Sequence, residues 1–499
     1  MKVRADCGSL TSRAGTALLV GLADRVGLTG ALTEALADLP ERRRRHEPGH
    51  VLRDLAVMLA DGGDALCDLG ALRDQEVLFG AVASDATAWR LICALDEKHL
   101  AQVREARAAA RRRVWKLADR PRRLILDLDA TLVTAHSEKE GAAGTYKHGF
   151  GFHPLLCFEA NRAEALSGIL RPGNAGSNTA SDHIEVLSRA LLQLSAGAVN
   201  PGTLVRTDSA GATHAFLNAV CARKLRFSVG FDLTEPVREA ILSVSERTWV
   251  PALDSDGGER DGAWVAELAL DLTKTGWPRG TRAICRRERP HPGAQLSFTD
   301  DSGYRFQVFI TNQQGGRIAR LEQIHRSRAA IEDSIRCAKA SGLRNLPFRA
   351  YAHNAAWLEL VLLGMDLVAF TKTLLLDAEL ATCEPKRLRY RLLHVAARIV
   401  SHARGITLRP PGAGPGRTRS SVPSRVFPRS LPDSPWGHAL DTGRRKEEWA
   451  SACPWGSPRA DRADGLTPHG GSERSRGVGG GSDGRWSAVS GAGGGAYGA

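Results

Sequence analysis

Residues 124–133 read LILDLDATLV, and they determine the fold class because they predict a buried strand at the centre of a sheet. Asp127 and Asp129 are two positions apart, so both side chains point to one face of such a strand, while Leu126 and Leu128 point to the other. Two carboxylates on one face of a central strand repel each other unless a cation neutralises them. The stretch therefore predicts both a central strand and a chemical site on it.

The segments that follow continue the pattern of strands and then alternate with amphipathic helices. Two further strands are predicted at residues 152–160 and 164–173. Helix, strand, helix and strand patterns come next, at residues 181–194, 203–211, 213–225 and 226–233. The order β-β-β-α-β-α-β predicts an α/β fold with a sheet of mixed strand direction.

Composition and periodicity divide the rest of the chain. Apolar residues spaced three and four apart predict an all-helical N-terminal domain, and short strand patterns with turn signals predict a β-rich insertion. A helix is predicted at residues 320–341, and the Pro-, Gly-, Arg- and Ser-rich tail is predicted to be disordered. The predicted domains are 1–118 (helical), 119–244 (α/β core, first part), 245–315 (insertion), 316–405 (C-terminal helices of the core) and 406–499 (tail).

Charge and composition exclude several classes of protein. The 499 residues carry 68 Lys and Arg against 55 Asp and Glu, a formal charge of +13, which favours a polyanionic partner such as nucleic acid. Nine cysteines without a C-x-x-C pair argue against a disulfide scaffold or a zinc ribbon, and no phosphate-binding G-x-x-x-x-G-K-[ST] loop occurs. The N-terminus resembles no secretory signal, and Ala356–Leu376 carries three charges that predict a buried helix rather than a membrane span. We expect a cytoplasmic, nucleoid-associated protein.

Basic residues cluster in the N-terminal part of the chain. One run covers Arg42–Arg45, and the others follow a predicted helix at Arg104, Arg107, Arg111, Arg112, Arg113 and Lys116. Two interpretations remain open: a solvated helix face, or a helical domain that binds DNA.

Two further acids stand at positions that suit a metal site. Asp208 ends the strand pattern of VRTDSAG, and Glu332 lies within the predicted helix RSRAAIEDSIRCAK. A single acid at a strand end is usually a turn or cap residue. Three acids brought together from two strands and a helix would suit Mg²⁺ or Mn²⁺, and two such ions can drive phosphodiester chemistry.

The order of elements and acids resembles the RNase-H-like DDE transposases of bacterial insertion sequences. The branch with a β-rich insertion carries the motif Y-x2-R-x3-E-x6-K, which His325, Arg328, Glu332 and Lys339 match with His in place of Tyr. The stretches DLDATLVTAHSEKEG, YKHGFGFHPL, RPGNAGSN, VRTDSAG and IRCAKASGLRNLPF resemble the insertion-sequence group numbered thirteen-eighty. The resemblance covers about residues 10 to 405.

The resemblance implies a function and a set of site residues. Asp129, Asp208 and Glu332 would be the catalytic triad that binds two Mg²⁺ (or Mn²⁺) ions, with Asp127 behind them. His325, Arg328 and Lys339 would contact DNA, and we expect them on the same helix face as Glu332. The implied activity is cleavage at terminal inverted repeats followed by strand transfer to target DNA, by a homodimer on double-stranded DNA.

The insertion supplies aromatic residues for which two interpretations are open. The resemblance implies aromatic contacts to the DNA end, and Trp249, Trp264, Trp277 and Tyr304 are candidates. Each could equally be a strand residue packed on its neighbours.

Two other functions compete with this interpretation. LILDLDATLV also fits the D-x-D-x-T loop of haloacid-dehalogenase-like, Mg²⁺-dependent phosphatases, in which Asp127 would be the nucleophile and Asp129 the acid/base. That reading leaves Arg328, Glu332, Lys339 and the basic charge without a role. The other alternative is a catalytically inactive, DNA-binding transposase relic, suggested by the atypical tail.

Overall fold

The computed structural model describes residues 9–39, 45–195, 197–290, 300–301, 303–402 and 405–409. The predicted disordered tail lies outside these residues except for 406–409, which belong to a strand.

The N-terminal part is helical, as its periodicity predicts. Side chains cap several of these helices: the backbone N–H of His50 donates to Glu47, and that of Thr87 donates to Ser84. The helices are α1 Ala17–Arg25, α2 Leu28–Ala35, α3 Pro48–Asp61, α4 Gly70–Arg73, α5 Glu76–Phe79, α6 Asp85–Ala94 and α7 Glu97–Leu117.

A large mixed sheet forms the centre of the molecule. The strands of the chain are β1 Leu10–Thr11, β2 Ile125–Ala130, β3 Val133–Thr134, β4 Ala143–Gly144, β5 Phe150–Phe152, β6 Leu155–Glu159, β7 Glu164–Ile169, β8 Leu204–Thr207, β9 Arg226–Phe231, β10 Val250–Leu253, β11 Glu259–Leu268, β12 Arg282–Glu288, β13 Asp300–Asp301, β14 Tyr304–Thr311, β15 Ala397–His402 and β16 Gly405–Arg409. The order across the sheet is β10-β11-β12-β14-β9-β8-β2-β6-β7.

The strand directions confirm the predicted RNase-H-like α/β fold. Strand β2 lies at the centre of the core strands; on one side β6 pairs antiparallel with β2, and β7 pairs antiparallel with β6. On its other side β8 and β9 are parallel to β2. The two helices that return the chain between β7, β8 and β9 are α8 Ala180–Leu192 and α9 His214–Ala222.

The β-rich insertion extends this sheet. After α10 Glu235–Leu242 the chain forms β10 to β14, and β14 pairs antiparallel with β9. A second, three-stranded sheet of β3, β5 and β4 follows β2 directly. The sequence did not predict it, because its strands are two or three residues long and rich in glycine.

The predicted helix at 320–341 is interrupted at both ends of its central part. It consists of α11 Ile318–Arg326, a 3-10 turn at Ser327–Ala329, α12 Ala330–Ala338 and a π turn at Lys339–Leu343. At the first break the carbonyl of Ile324 accepts hydrogen bonds from the Ser327 hydroxyl and the Arg206 guanidinium, which compete with the helical N–H donors.

The long helix α13 Tyr351–Leu375 is buried, as expected for its composition. It packs against α3, α7 and β7, and the apolar core runs without a break from the N-terminal helices to the sheet. Within the described residues no helix has the length and apolar character needed to cross a membrane. The domain boundaries themselves stay a prediction.

The chain after α13 differs from the expected helices. Only α14 Ala378–Thr382, α15 Pro385–Leu388 and a π turn at Arg389–Leu393 follow, and then β15, which pairs with β1 and β16. The Ile399–Val400 pair explains the strand, because β-branched residues favour extended backbone.

Two arginines of the basic N-terminal cluster lie inside the protein. Arg107 and Arg111 on α7 are each 1% exposed. Arg107 donates to Asp366 at 3.0 Å and to Glu359 at 3.0 Å, and Arg111 donates to Asp366 and, at 2.8 Å, to Glu164. These two residues belong neither to a solvated helix face nor to a DNA-binding surface, because their charged groups bind α7 to α13 and β7.

We predict that Asp366→Asn lowers the free energy of unfolding by about 3–5 kcal/mol, because two buried guanidinium groups lose their shared carboxylate. Urea denaturation of the full chain measures this. Asp271→Asn is the control, since Asp271 and its partner Lys274 are both largely exposed, and it should not change stability measurably. Equal stability of the two variants would contradict the structural role of the network.

Candidate active site

Two of the predicted acids meet where two parallel strands end. Asp129 is the fifth residue of β2, and Asp208 follows β8 directly and caps a 3-10 turn by accepting from the N–H of Ala210 at 3.2 Å. Because β2 and β8 are neighbours and parallel, their carboxyl ends lie at the same edge of the sheet. Burial, together with the charge of Asp208, raises the pKa of Asp129 to about 6. The pair is thus a site of concentrated, poorly solvated negative charge.

Arg328 is the cation that contacts this pair. Its Nη1 donates to Oδ2 of Asp129 at 3.2 Å from the 3-10 turn between α11 and α12. The remaining oxygen of Asp129 accepts from the N–H of Ala130 at 2.8 Å. Arg328 therefore offsets part of the repulsion, and the pKa of Asp129 remains raised in spite of it.

The third predicted acid is not gathered with the other two. Glu332 is exposed in the first turn of α12. In the part of the chain that the structure describes, no three Asp, Glu, His or Cys side chains are placed to hold a metal ion together. The hard oxygen donors and the mutual repulsion of Asp129 and Asp208 fit a divalent cation, and their connection to Glu332 is indirect, through Arg328 four residues before it.

The predicted common helix face does not hold for His325, because the 3-10 turn Ser327–Ala329 separates α11 from α12 and changes the helical period between them. His325 points inward: its ring stacks on Phe309 at 4.4 Å, and its Nδ1 lies 2.9 Å from the hydroxyl of Ser228. Burial, with the charge of Arg328, lowers the pKa of His325 to about 3, so the ring is neutral. Lys339 begins the π turn. The DNA contacts assigned to His325, Arg328 and Lys339 stay predictions.

Asp127 has a clear partner that the sequence did not identify. It stands opposite Arg206 in the pairing of β2 with β8, and the guanidinium donates to both carboxylate oxygens at 2.6 and 2.7 Å. The other guanidinium nitrogen of Arg206 donates to the carbonyl of Ile324 and, at 2.6 Å, to the hydroxyl of Ser327. This buried pair connects the central strand to the turn that carries Arg328. In this pair both carboxylate oxygens of Asp127, the residue that would be the nucleophile of a phosphatase, accept from Arg206.

Three of the four aromatic candidates of the insertion surround an arginine, while Trp277 packs on the rings of His214 and Phe231. Guanidinium carbon Cζ of Arg287 lies 4.4 Å from the ring centre of Trp249, 5.3 Å from that of Trp264 and 5.0 Å from that of Tyr304. Glu246 accepts from Arg287 at 2.7 Å through each carboxylate oxygen. Packing on one another and on a cation is the interpretation that these contacts favour for the three rings. Their role in binding DNA stays a prediction.

Comparison with known proteins identifies relatives at the level of a family. The family model described as "Transposase DDE domain group 1" matches residues 1–419. The search of curated proteins found no match. The solved structures similar to the chain include the "Cryo-EM structure of piggyBac transposase synaptic complex with hairpin DNA (SNHP)", with 9% sequence identity, a TM-score of 0.40, and coverage of 76% of this chain and 80% of that one.

We predict that Asp129→Asn stabilises the metal-free protein at pH 7. The pKa of Asp129 rises from 3.8 to about 6 on folding, so the folded wild type binds more protons than the unfolded chain between these values, and its stability falls as the pH increases through this window. Asparagine removes that loss of about 3 kcal/mol and keeps an acceptor for Arg328. Denaturation at pH 4 and pH 7 measures the difference, which should be absent at the lower pH.

Added Mg²⁺ should make the wild type more stable than Asp129→Asn, because a cation bound by the carboxylates stabilises only the wild type. The exposed Asp232→Asn is the matched control and should follow the wild type at each pH. A variant Asp129→Asn that is less stable than the wild type at pH 7 without metal would show that Asp129 is not electrostatically unfavourable in the folded protein.

Proposed function

The chain belongs to the family of DDE-domain transposases of group 1, and from this premise we propose that it cleaves DNA at the terminal inverted repeats of an insertion sequence and transfers the strands to target DNA. DDE transposases act on DNA by phosphodiester hydrolysis and transesterification. The insertion-sequence group numbered thirteen-eighty is part of the proposal, since it rests on the sequence motifs around Asp129, Asp208 and Glu332.

The observation that carries the proposal is the convergence of Asp129 and Asp208 at the ends of β2 and β8. We assign Asp129, Asp208 and Glu332 as the ligands of two Mg²⁺ or Mn²⁺ ions. Such ions, when bound, activate a water or a 3′-hydroxyl and stabilise the leaving oxygen. The chain's own contribution is to fix two carboxylates on neighbouring strands and to hold Asp129 through Arg328.

DNA is the proposed partner of this site. Lys339 is half-buried at the end of α12, and no carboxylate among the described residues pairs with it. We assign it to a backbone phosphate near the scissile bond. The helical domain would bind the terminal repeats, the insertion aromatics would contact the DNA end, and two copies of the chain would act together on the two ends.

The phosphatase alternative is disfavoured by the contacts of Asp127. Both of its carboxylate oxygens accept from Arg206, and the residue is buried. A carboxylate held in this way has no free oxygen to attack a phosphoester.

We predict that Asp208→Asn lowers the rate of DNA cleavage by roughly two to four orders of magnitude, because an essential anionic ligand is lost. Asparagine can still accept from the N–H of Ala210, so the fold and the binding of DNA should be retained. The measurement is Mg²⁺-dependent cleavage of a duplex carrying the inverted repeat that flanks the gene. Asp232→Asn is the control and should cleave at the wild-type rate.

Wild-type cleavage by Asp208→Asn would remove Asp208 from the site. Binding of the repeat without cleavage by the wild type would identify an inactive relic. Hydrolysis of a small phosphoester that Asp127→Asn abolishes would instead support the phosphatase.

A further inference from the structure

The hairpin formed by β4 and β5 has a well-ordered tip. The five tip residues are Thr145, Tyr146, Lys147, His148 and Gly149. The N–H of Thr145 donates to the carbonyl of Gly149 at 2.8 Å, the N–H of His148 donates to the carbonyl of Thr145 at 3.0 Å, and the Thr145 hydroxyl accepts from Gly149 at 3.1 Å. His148 has a φ of 57°, the left-handed conformation that tight turns require. The tip is therefore held in one conformation by its own backbone.

Close backbone contacts fix the base of the hairpin. A Cβ on Gly151 would lie 2.0 Å from the carbonyl oxygen of Val133, and one on Gly173 would lie 2.3 Å from that of Ala143. Only glycine allows these approaches. The strands of the hairpin are thus pressed against β3 and against the chain that follows β7.

The loop before the hairpin is tied to the chain that follows the π turn. The N–H of Glu140 donates to the carbonyl of Arg349 at 2.9 Å, and the Glu140 carboxylate accepts from the N–H of Tyr351 at 2.9 Å. Lys139 donates to the carbonyl of Leu346. The hairpin therefore stands between the strand of Asp129 and the chain that follows Lys339.

The tip faces both parts of the proposed active site. The ring of Tyr146 lies 5.7 Å from the ring of His153. Burial lowers the pKa of His153, and the negative charge of Asp208 acts in the opposite direction by raising it. On the other side, burial together with the charge of Lys147 lowers the pKa of Lys339. His153 precedes Pro154, whose carbonyl accepts from the N–H of Thr131, two residues after Asp129. The ring of Tyr146 is thus placed near the end of β2, and the contacts of Lys139 and Glu140 bring the hairpin to the chain that follows Lys339.

These tip side chains have no evident role in the fold. Tyr146 is 66% exposed, and its ring lies beside the ring of His153 and the ammonium group of its neighbour Lys147. No carboxylate of the described residues pairs with Lys147 or Lys339. An exposed ring beside the ammonium group of Lys147, whose charge also acts on Lys339, suits a ligand with a flat apolar face and a negative charge, which a nucleotide in DNA provides.

We propose that the tip of this hairpin is a DNA-contacting element of the active site, in which Lys147 and Lys339 hold one backbone phosphate and Tyr146 stacks on the adjacent base. The inference rests on the proposed function, since the DNA it requires is the transposon end. It adds two residues, Tyr146 and Lys147, that the acidic triad and its helix do not include.

Binding of a pre-cleaved end tests the stacking. The probe is a duplex that ends at the 3′-hydroxyl of the inverted repeat flanking the gene, with 2-aminopurine at single positions next to that end, in the absence of metal. Tyr146→Ala should bind roughly 5- to 150-fold more weakly and should lose the fluorescence quenching that stacking causes. Tyr146→Phe keeps the ring and should behave as the wild type in both measurements.

The salt dependence of binding tests the phosphate. Because both lysines hold the same phosphate, the double variant Lys147→Gln/Lys339→Gln should lower the slope of log K against log salt by about 0.9, and not by twice that amount. Lys224→Gln is the matched control: Lys224 is exposed and precedes β9, at the opposite edge of the sheet from the acids, so the slope should not change.

The outcomes separate the inference from the proposed function. If the wild type cleaves the repeat while Tyr146→Ala binds and quenches as the wild type does, or the double variant keeps the wild-type slope, the inference is wrong and the proposed function stands. If the wild type neither prefers the repeat to a scrambled duplex nor cleaves it, the proposed function is wrong. The inference is then wrong as well, because it depends on that function.

Discussion

The repulsion between Asp129 and Asp208 is the constraint around which this structure is arranged. Each acid is placed at the end of a parallel strand, and the pairing of β2 with β8 leaves them no freedom to separate. Burial and the second charge make Asp129 a weaker acid, with a pKa of about 6. Two carboxylates held close together lower the stability of the folded protein, and the rest of the structure has to compensate for that loss. The benefit of the pair has to come from the ligand that it binds.

A second ion pair directly behind the acids determines how the helical part approaches them. Arg206 joins Asp127 on the central strand to Ile324 and Ser327, where α11 ends. The 3-10 turn that starts there places Arg328 against Asp129. The break in the helix is thus a consequence of the arginine beneath it, and it brings a cation to the acids that a continuous helix would present differently. Ion pairs thus connect strand β2 to the helical segment at the proposed active site.

The sequence could predict the order of strands and helices and the two strand acids, because both follow from local periodicity and from the ends of strands. It could not predict partners that are distant along the chain. Arg206 stands in the quoted segment VRTDSAG, yet only the register of β2 against β8 shows that it faces Asp127. The cluster of aromatic rings around Arg287 also depends on strand pairing, and the buried state of Arg107 depends on acids of α13 that are far along the chain.

The positive charge of the chain illustrates this difference most clearly. A formal charge of +13 favours a polyanionic partner, but many of the arginines that contribute to it are engaged within the protein. Arg107, Arg111 and Arg206 neutralise buried carboxylates, so they contribute to folding rather than to a DNA surface. The informative cations are those that no carboxylate of the described residues pairs with, and Lys147 and Lys339 are of this kind. Net charge therefore indicates the class of partner, whereas the unpaired charges indicate where on the surface that partner can bind.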